Sequence, residues 1–218
     1  VKNIAEGAFS GNTRLSAVTF NQIETISANA FTNCSALEHI DWGHSFCNGS
    51  KVKTIGREAF MNCPTLNYVK LPDSLLRIGN EAFSNTMEDS DSSCLYIPIS
   101  LSGTTSDVAL HAKAFYSISP KCIVWNISDG DGHGGIENPG LLAKNDSSDY
   151  YQIFKFGNKP VFCYFPKIRN KDSLYVISQI IEDGFPSGSK IYVGMDSTQI
   201  NALDNGIHYF SEDTEVKP

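Results

Sequence analysis

The chain has 218 residues, of which 41% are hydrophobic and 19% are charged, and its formal net charge is −7. An acidic chain without a basic run lacks the clustered Lys and Arg that displace counterions from phosphates, which argues against nucleic-acid binding. No apolar stretch approaches the roughly 18 residues that cross a bilayer, so we expect no membrane insertion of this segment.

A short apolar phrase recurs along the first half of the chain with fixed internal spacing. It consists of an aliphatic residue, three variable residues and Ala-Phe, and its copies end at Phe9, Phe31, Phe60, Phe83 and Phe115. The successive phenylalanines stand 22, 29, 23 and 32 residues apart. Periods of about 20 to 30 residues are typical of solenoids, whose stacked units bury a core that no single unit can close. The longer gaps predict insertions between coils.

The third copy, residues 52–72, shows the full pattern of one coil. Its tail, Leu66 to Leu71, ends in alternation, which predicts a short strand with one buried face. Pro72 ends the strand because proline cannot donate to a sheet ladder. The spacing of Ala59 and Phe60 within Gly56–Asn62 predicts one short helical turn that packs against the core.

These repeats resemble the BspA-like leucine-rich repeats of bacterial and protozoan surface proteins over about residues 1–125. The resemblance implies an α/β solenoid with a parallel sheet on one face and short helical turns on the other. It also implies an extracellular or cell-surface location and adhesion to host or matrix proteins. The repeat motif is structural and transfers no catalytic residue, so we expect no enzyme activity and no cofactor. Val1 occupies a position inside a repeat, and we expect a leader or further repeats ahead of it.

The sequence predicts five coils over residues 1–125, interrupted by two insertions. The first insertion covers about Gly43–Ser50, and the second begins at Met87–Ser93 and resumes after Ile99 through Asp107. We expect the acidic segment 87–93 to be a flexible loop. Such loops either carry recognition or are tolerated variation in length.

The repeat pattern changes after residue 125. Residues 126–149 are rich in Gly, Asn, Asp and Ser, which predicts a loop or linker. The following segment to Phe165 is β-prone, and Gly157-Asn158 predicts a hairpin turn. About residues 174–193 predict a degenerate sixth repeat in which Gly184-Phe185 replaces Ala-Phe, followed by a C-terminal cap. The chain would then end in an irregular β-rich part, 150–218; the alternative is a separate small β-rich domain.

Strand side chains alternate, so the residues beside the inward positions project to solvent. One outward column contains Thr19, Asp41, Lys70, Tyr96, Val124 and Tyr192, and its neighbour contains Ala17, His39, Tyr68, Cys94, Cys122 and Lys190. The candidate ligand-binding residues on this face are His39, Asp41, Tyr68, Lys70, Tyr96 and Tyr192. Tyrosine is common at protein interfaces because it combines a large contact area with a polar tip. An ordinary solvated sheet face is the alternative.

The cysteines fall into two kinds of position. Cys34 and Cys63 share one place in the repeat, where we expect small buried thiols. Cys94 and Cys122 are outward neighbours in adjacent coils and form a candidate disulfide. The histidines have no spacing typical of metal ligands, so we expect no metal site.

These patterns together favour a monomeric, non-catalytic module that binds a protein ligand through the sheet face and the inserted loops. A structural spacer that displays another domain is the first alternative. Lectin-like glycan binding, through Tyr68, Tyr96 and nearby polar groups, is the second.

Overall fold

The computed structural model describes residues 1–43, 50–88, 92–97, 110–125, 152–165 and 181–194, together with the backbone of His208–Phe210. Every strand pair in these residues is parallel. The strands are β1 Asn3–Ile4, β2 Ala17–Thr19, β3 Thr25–Ile26, β4 His39–Asp41, β5 Thr54–Ile55, β6 Tyr68–Lys70, β7 Arg77–Ile78, β8 Cys94–Ile97, β9 Phe115–Ile118, β10 Cys122–Trp125, β11 Phe154–Phe156, β12 Phe162–Phe165, β13 Ile181–Glu182, β14 Lys190–Val193 and β15 His208–Phe210.

The main sheet has eight strands in the order β2-β4-β6-β8-β10-β12-β14-β15. Each coil adds one strand, so strands that are neighbours in the sheet are separated in the chain by the rest of a coil. The central residue Val69 of β6 and its register partner Leu95 of β8 are 0% and 1% exposed. Trp42 and Trp125, which follow or end their strands, are also buried as predicted. The expected solenoid with a parallel sheet on one face is confirmed.

A second edge of the coil carries shorter strands. They form the four-stranded sheet β1-β3-β5-β7, and each of its strands ends at the aliphatic residue that begins the repeated phrase. An isolated parallel bridge from Ile78 to Leu110 extends this edge into the fifth coil. A three-stranded sheet, β13-β11-β9, lies at the Ala-Phe position of the later coils.

The predicted short helical turns are wrong, because tandem β-turns occupy that segment and the described residues contain no helix. In the third coil, Ala59 N donates to Gly56 O (3.4 Å) and Met61 N donates to Glu58 O (3.2 Å). Glu58 and Asn62 have φ of 55° and 58°, and every one of the first five coils has two such left-handed positions. A right-handed helix cannot continue through residues with positive φ.

The phenylalanines of the repeated phrase form one stack of rings along the solenoid. Phe9, Phe31, Phe60, Phe83, Phe115 and Phe154 lie in nearly parallel planes with centroid separations of 4.8–5.6 Å. Backbone hydrogen bonds run alongside, for example from Phe31 N to Ala59 O (2.8 Å). The inner rings are at most 1% exposed, whereas Phe9 in the first coil is 42% exposed. We call these six residues the phenylalanine ladder.

Two glycines mark the closest approach of neighbouring coils. A Cβ added to Gly56 would lie 2.6 Å from the backbone nitrogen of Ala28, and one added to Gly79 would lie 2.6 Å from that of Arg57. Neither contact can relax by a side-chain rotation, because the opposing atoms are backbone. The tight position between coils therefore falls on the residue after the aliphatic one, as well as on the buried alanines.

The C-terminal part departs from the prediction in two ways. The hairpin at Gly157-Asn158 is wrong, because β11 and β12 belong to different sheets and pair with strands of neighbouring coils. The degenerate repeat has its strand, β14, where expected. The prediction that Phe185 occupies the phenylalanine position of this repeat is wrong. Ile181 is the register partner of Phe154, while Phe185 stacks on Phe156 at 5.7 Å. The coil of β11 and β12 also precedes it, so this repeat is the seventh.

The eight-stranded sheet therefore includes strands from both sides of the predicted linker at residues 126–149. That linker lies outside the described residues, and the division of the chain into domains remains a prediction. The central parts of both insertions, 44–49, 89–91 and 98–109, are also outside them. At the ends of the second insertion, Met87 and Ser93 are 1% and 0% exposed, so these residues belong to the core and not to a solvated loop.

Candidate ligand-binding face of the eight-stranded sheet

The outward side chains of the eight-stranded sheet form two columns, which together we call the outer face. The register pairs place Ala17 beside His39, His39 beside Tyr68, Tyr68 beside Cys94 and Cys94 beside Cys122 in one column. In the other, they place Thr19 beside Asp41, Lys70 beside Tyr96 and Tyr96 beside Val124.

The character of the outer face changes along the solenoid. Ala17, Thr19, His39 and Asp41, at the first two strands, are exposed and small or polar. Tyr68 follows with 52% of its surface exposed. Beyond it the outward residues of β8, β10 and β12 are half-buried, although they point away from the core. A polar, charged part thus adjoins an aromatic part.

The predicted site residues near the first strands have local partners. The Asp41 carboxylate accepts a hydrogen bond from Gly43 N (2.9 Å), which fixes the chain where β4 ends. His39 Nε2 lies 3.7 Å from a carboxylate oxygen of Glu38. Asp41 therefore has a structural role in the turn, in addition to any contact with a ligand.

The central residues are brought together as predicted. The Lys70 ammonium lies 5.3 Å from the centroid of the Tyr96 ring, within the range of a cation–π interaction. Because Lys70 and Tyr96 are register partners on adjacent strands, this contact fixes both side chains on the outer face. Tyr68 is in the adjacent column of the same strand as Lys70.

Tyr192 does not adjoin Tyr96, because β10 and β12 lie between their strands. Its neighbour is Tyr164, and the two rings stack at 4.7 Å with an interplanar angle of 29°. Tyr164 and the half-buried Phe162 were not predicted as outer-face residues. The signal for them was available: the apolar alternation of residues 161–165 is followed by a proline, as at Leu71-Pro72.

The cysteines lie where the repeat phase placed them. Cys34 and Cys63 are buried as predicted, and each thiol lies near a backbone carbonyl, Cys34 Sγ 3.2 Å from Phe9 O and Cys63 Sγ 3.3 Å from Phe31 O. Burial raises the pKa of both thiols, and that of Cys63 to about 12. Cys94 and Cys122 are half-exposed register partners on the outer face, present as free thiols, and a disulfide between them stays a prediction.

A second concave site lies at the other edge of the later coils. A cavity of about 330 Å³ is lined by residues of two turns, including Lys155, Phe156, Asn158 and Asp183. The Lys155 ammonium contacts the carboxylates of Glu182 and Asp183, each at 3.0 Å. Those two hydrogen bonds raise the pKa of Lys155. Because the charged groups at this cavity already pair with one another, the cavity is a weaker candidate for a ligand-binding site than the outer face.

The described residues offer little for metal chemistry. Nowhere in the described ranges do three His, Cys, Asp or Glu side chains come together in a group that could hold a metal ion. A helix long and apolar enough to cross a membrane is likewise not found in the part of the chain that the structure describes.

Stacked strand–turn coils with a continuous parallel sheet define the class of leucine-rich-repeat solenoids. Residues 1–93 match the family described as BspA type leucine rich repeat region, with six copies. This part of the chain is therefore similar to BspA-type leucine-rich repeats, in agreement with the resemblance of the sequence.

The chain is also similar to a solved structure, that of a leucine-rich repeat protein from Bacteroides ovatus. The two share 21% sequence identity with a TM-score of 0.44, over 89% of this chain and 59% of the other. The chain thus spans about three fifths of the length of that protein. A comparison with curated proteins gives no match.

Proposed function

We propose that the chain is a non-catalytic, secreted or cell-surface repeat module that binds a protein ligand through the outer face. The observation that carries this proposal is the exposed ring of Tyr68 between the polar part of the face and its aromatic part. Binding energy at protein interfaces concentrates in a few aromatic and Arg residues surrounded by a polar rim. Tyr68, with Lys70 and Tyr96 beside it, supplies such a centre.

The rigidity of the face supports the same function. From β4 to β14 its side chains stand on strands that are paired on both sides, above a core that is almost fully buried. A site on strands loses little conformational entropy when a ligand binds. Parts of the two insertions follow β4 and β8 in the sequence, and we propose that ligand binding also uses residues of these insertions.

The location and the class of ligand rest on the repeat family. BspA-type repeats over residues 1–93 support a surface or secreted protein, and adhesion to a host or matrix protein is the ligand class we propose. Glycan binding is the second candidate, and the stacked pair Tyr164 and Tyr192 favours it, because aromatic rings offer flat apolar surfaces for sugar rings.

The test is a binding screen of the folded chain against a panel of matrix proteins and a glycan array, followed by variants at single positions. For a protein ligand, Tyr68→Ala is expected to weaken binding at least about tenfold, which corresponds to about 1.4 kcal/mol. The matched control is Leu76→Ala. Leu76 is 59% exposed and apolar, but it precedes β7 in the four-stranded sheet, away from the outer face.

Each result decides between functions. Equal affinities of Tyr68→Ala, Lys70→Ala and the unaltered chain for every bound protein would refute the outer-face proposal. Loss of glycan signal in Tyr164→Ala, without any protein ligand, would favour the lectin-like function. Absence of binding to the whole panel would leave the spacer as the better account.

A further inference from the structure

Cys94 and Cys122 are the two described cysteines that are partly exposed. They are Cα partners on the adjacent parallel strands β8 and β10, and both project half-exposed from the outer face. The two thiols lie close enough to shift each other's pKa. Tyr68 flanks the pair on one side of the column and Phe162 flanks it on the other.

The other described cysteines provide a contrast within the same molecule. Cys34, Cys63 and Cys163 are 0% exposed. Burial raises the pKa of all three, so their thiols stay protonated and unreactive. Only the outward pair combines a thiol neighbour with access for a reagent from solvent.

Each thiol affects the ionisation of the other. The interaction with the Cys94 thiol lowers the pKa of Cys122, and the same interaction raises the pKa of Cys94. The thiolate is the form that attacks disulfides, so one thiol of the pair can attack a reagent while its neighbour resolves the product.

The strand geometry permits a bond between them. Neighbouring strands lie about 4.8 Å apart, and the Cα atoms of disulfides are usually about 4.4–6.8 Å apart. The Cα separation expected of the in-register pair therefore lies within the range of a disulfide.

We propose that Cys94 and Cys122 are a reversible disulfide site on the outer face, oxidised by a low-molecular-weight disulfide such as oxidised glutathione. The Cys122 thiolate attacks one sulfur of the reagent, which forms a mixed disulfide and releases one glutathione thiolate. Cys94 then gives up its proton to solvent and attacks the Cys122 sulfur, which releases the second glutathione. Two protein thiols are thereby oxidised to one disulfide, and one disulfide of the reagent is reduced to two thiols. This site does not depend on the proposed binding function.

The experiment uses the whole folded chain with Cys47, which lies outside the described residues, replaced by Ser. The chain is treated with oxidised glutathione, blocked with iodoacetamide, digested without reduction and mapped by mass spectrometry. The expected product is one cross-linked peptide pair joining Cys94 to Cys122, with the intact mass lower by two hydrogens and restored by dithiothreitol. Cys34, Cys63 and Cys163 are expected to be alkylated only after unfolding.

Two single variants test whether both thiols are required. In Cys94→Ser, the mixed disulfide of Cys122 with glutathione should accumulate, since no thiol remains to resolve it. In Cys122→Ser, no intramolecular disulfide should form at Cys94, since its partner thiol is gone. The proposal is overturned if both thiols of the Cys47→Ser chain remain separately alkylatable, or if a mixed disulfide persists there unresolved. Circular dichroism of each variant confirms that the coils remain folded.

Discussion

The phenylalanine ladder predicts that identical substitutions have very different costs at the centre and at the first coil. Phe60 is fully buried and stacks on Phe31 and Phe83, each at 5.2 Å, with Trp42 at its edge. Phe9 is 42% exposed, and among the described residues it stacks on Phe31 alone. Phe60→Ala and Phe9→Ala therefore remove the same atoms from the same place in the repeat but from different surroundings.

The magnitudes follow from burial and stacking. Truncation of a buried Phe to Ala costs about 3–5 kcal/mol, because a cavity remains where the ring was. Each aromatic pair contributes about 0.5–1.5 kcal/mol beyond its buried area, which places Phe60→Ala near the top of that range. Phe9→Ala leaves no closed cavity and breaks one pair, so we expect about 1–2 kcal/mol.

Urea unfolding followed by tryptophan fluorescence and circular dichroism measures both costs. With a denaturant slope of about 2 kcal/mol per molar, a loss of 4 kcal/mol lowers the unfolding midpoint by about 2 M urea. Phe60→Leu, which keeps an apolar side chain and loses the ring, should fall between the two alanine variants. Equal midpoints for Phe9→Ala and Phe60→Ala would refute the argument that stacked rings hold successive coils together.

Three further predictions concern the turns and the core. Asn62 has a φ of 58°, and its side chain donates a hydrogen bond to Asn33 (2.7 Å) and accepts one from Asn85 (2.8 Å). Both Asn62→Ala and Asn62→Gly lose these bonds, but glycine adopts positive φ without strain, so Asn62→Ala should cost about 1 kcal/mol more in urea unfolding. Equal costs would contradict this. Gly56→Ala should destabilise the fold by more than about 2–3 kcal/mol, because the added Cβ would lie 2.6 Å from a backbone atom of the neighbouring coil. Gly7→Ala has open space around the added Cβ and should cost about 1 kcal/mol, from its positive φ alone. A smaller loss at Gly56 would show that the coils can separate. Burial raises the pKa of Cys63 from 9.0 to about 12, so the unfolded chain loses this proton first. Stability should therefore fall above pH 9 by up to about 1.4 kcal/mol per pH unit from this group, and Cys63→Ala should have a shallower decline; identical slopes would contradict it.

The repeated phrase allowed most of the core and the sheet to be predicted. Its fixed spacing placed five rings of the ladder, and strand alternation placed Tyr68, Lys70 and Tyr96 on one face. The sixth ring, Phe154, was missed because Ile153 stands where the phrase has alanine and the preceding ring is 39 residues away. Without that coil, Tyr164 could not be placed between Val124 and Tyr192.

The turns were mispredicted for a different reason. The spacing of Ala59 and Phe60 fits one turn of helix and also fits two successive β-turns, and periodicity alone does not separate them. The distinguishing signal was the residue type at the left-handed positions, where Gly11, Asn33, Asn62 and Asn85 recur. Glycine and asparagine are the residues that adopt positive φ at least cost.

The phenylalanine ladder also shows that the spacing between coils does not depend on the number of residues in each coil. Sequence separations between successive rings range from 22 to 39 residues, yet the ring centroids stay 4.8–5.6 Å apart. An insertion between two coils therefore changes a loop without shifting the strands that follow it. Such a chain can acquire, lengthen or lose surface loops over evolutionary time while every later outer-face residue keeps its neighbours.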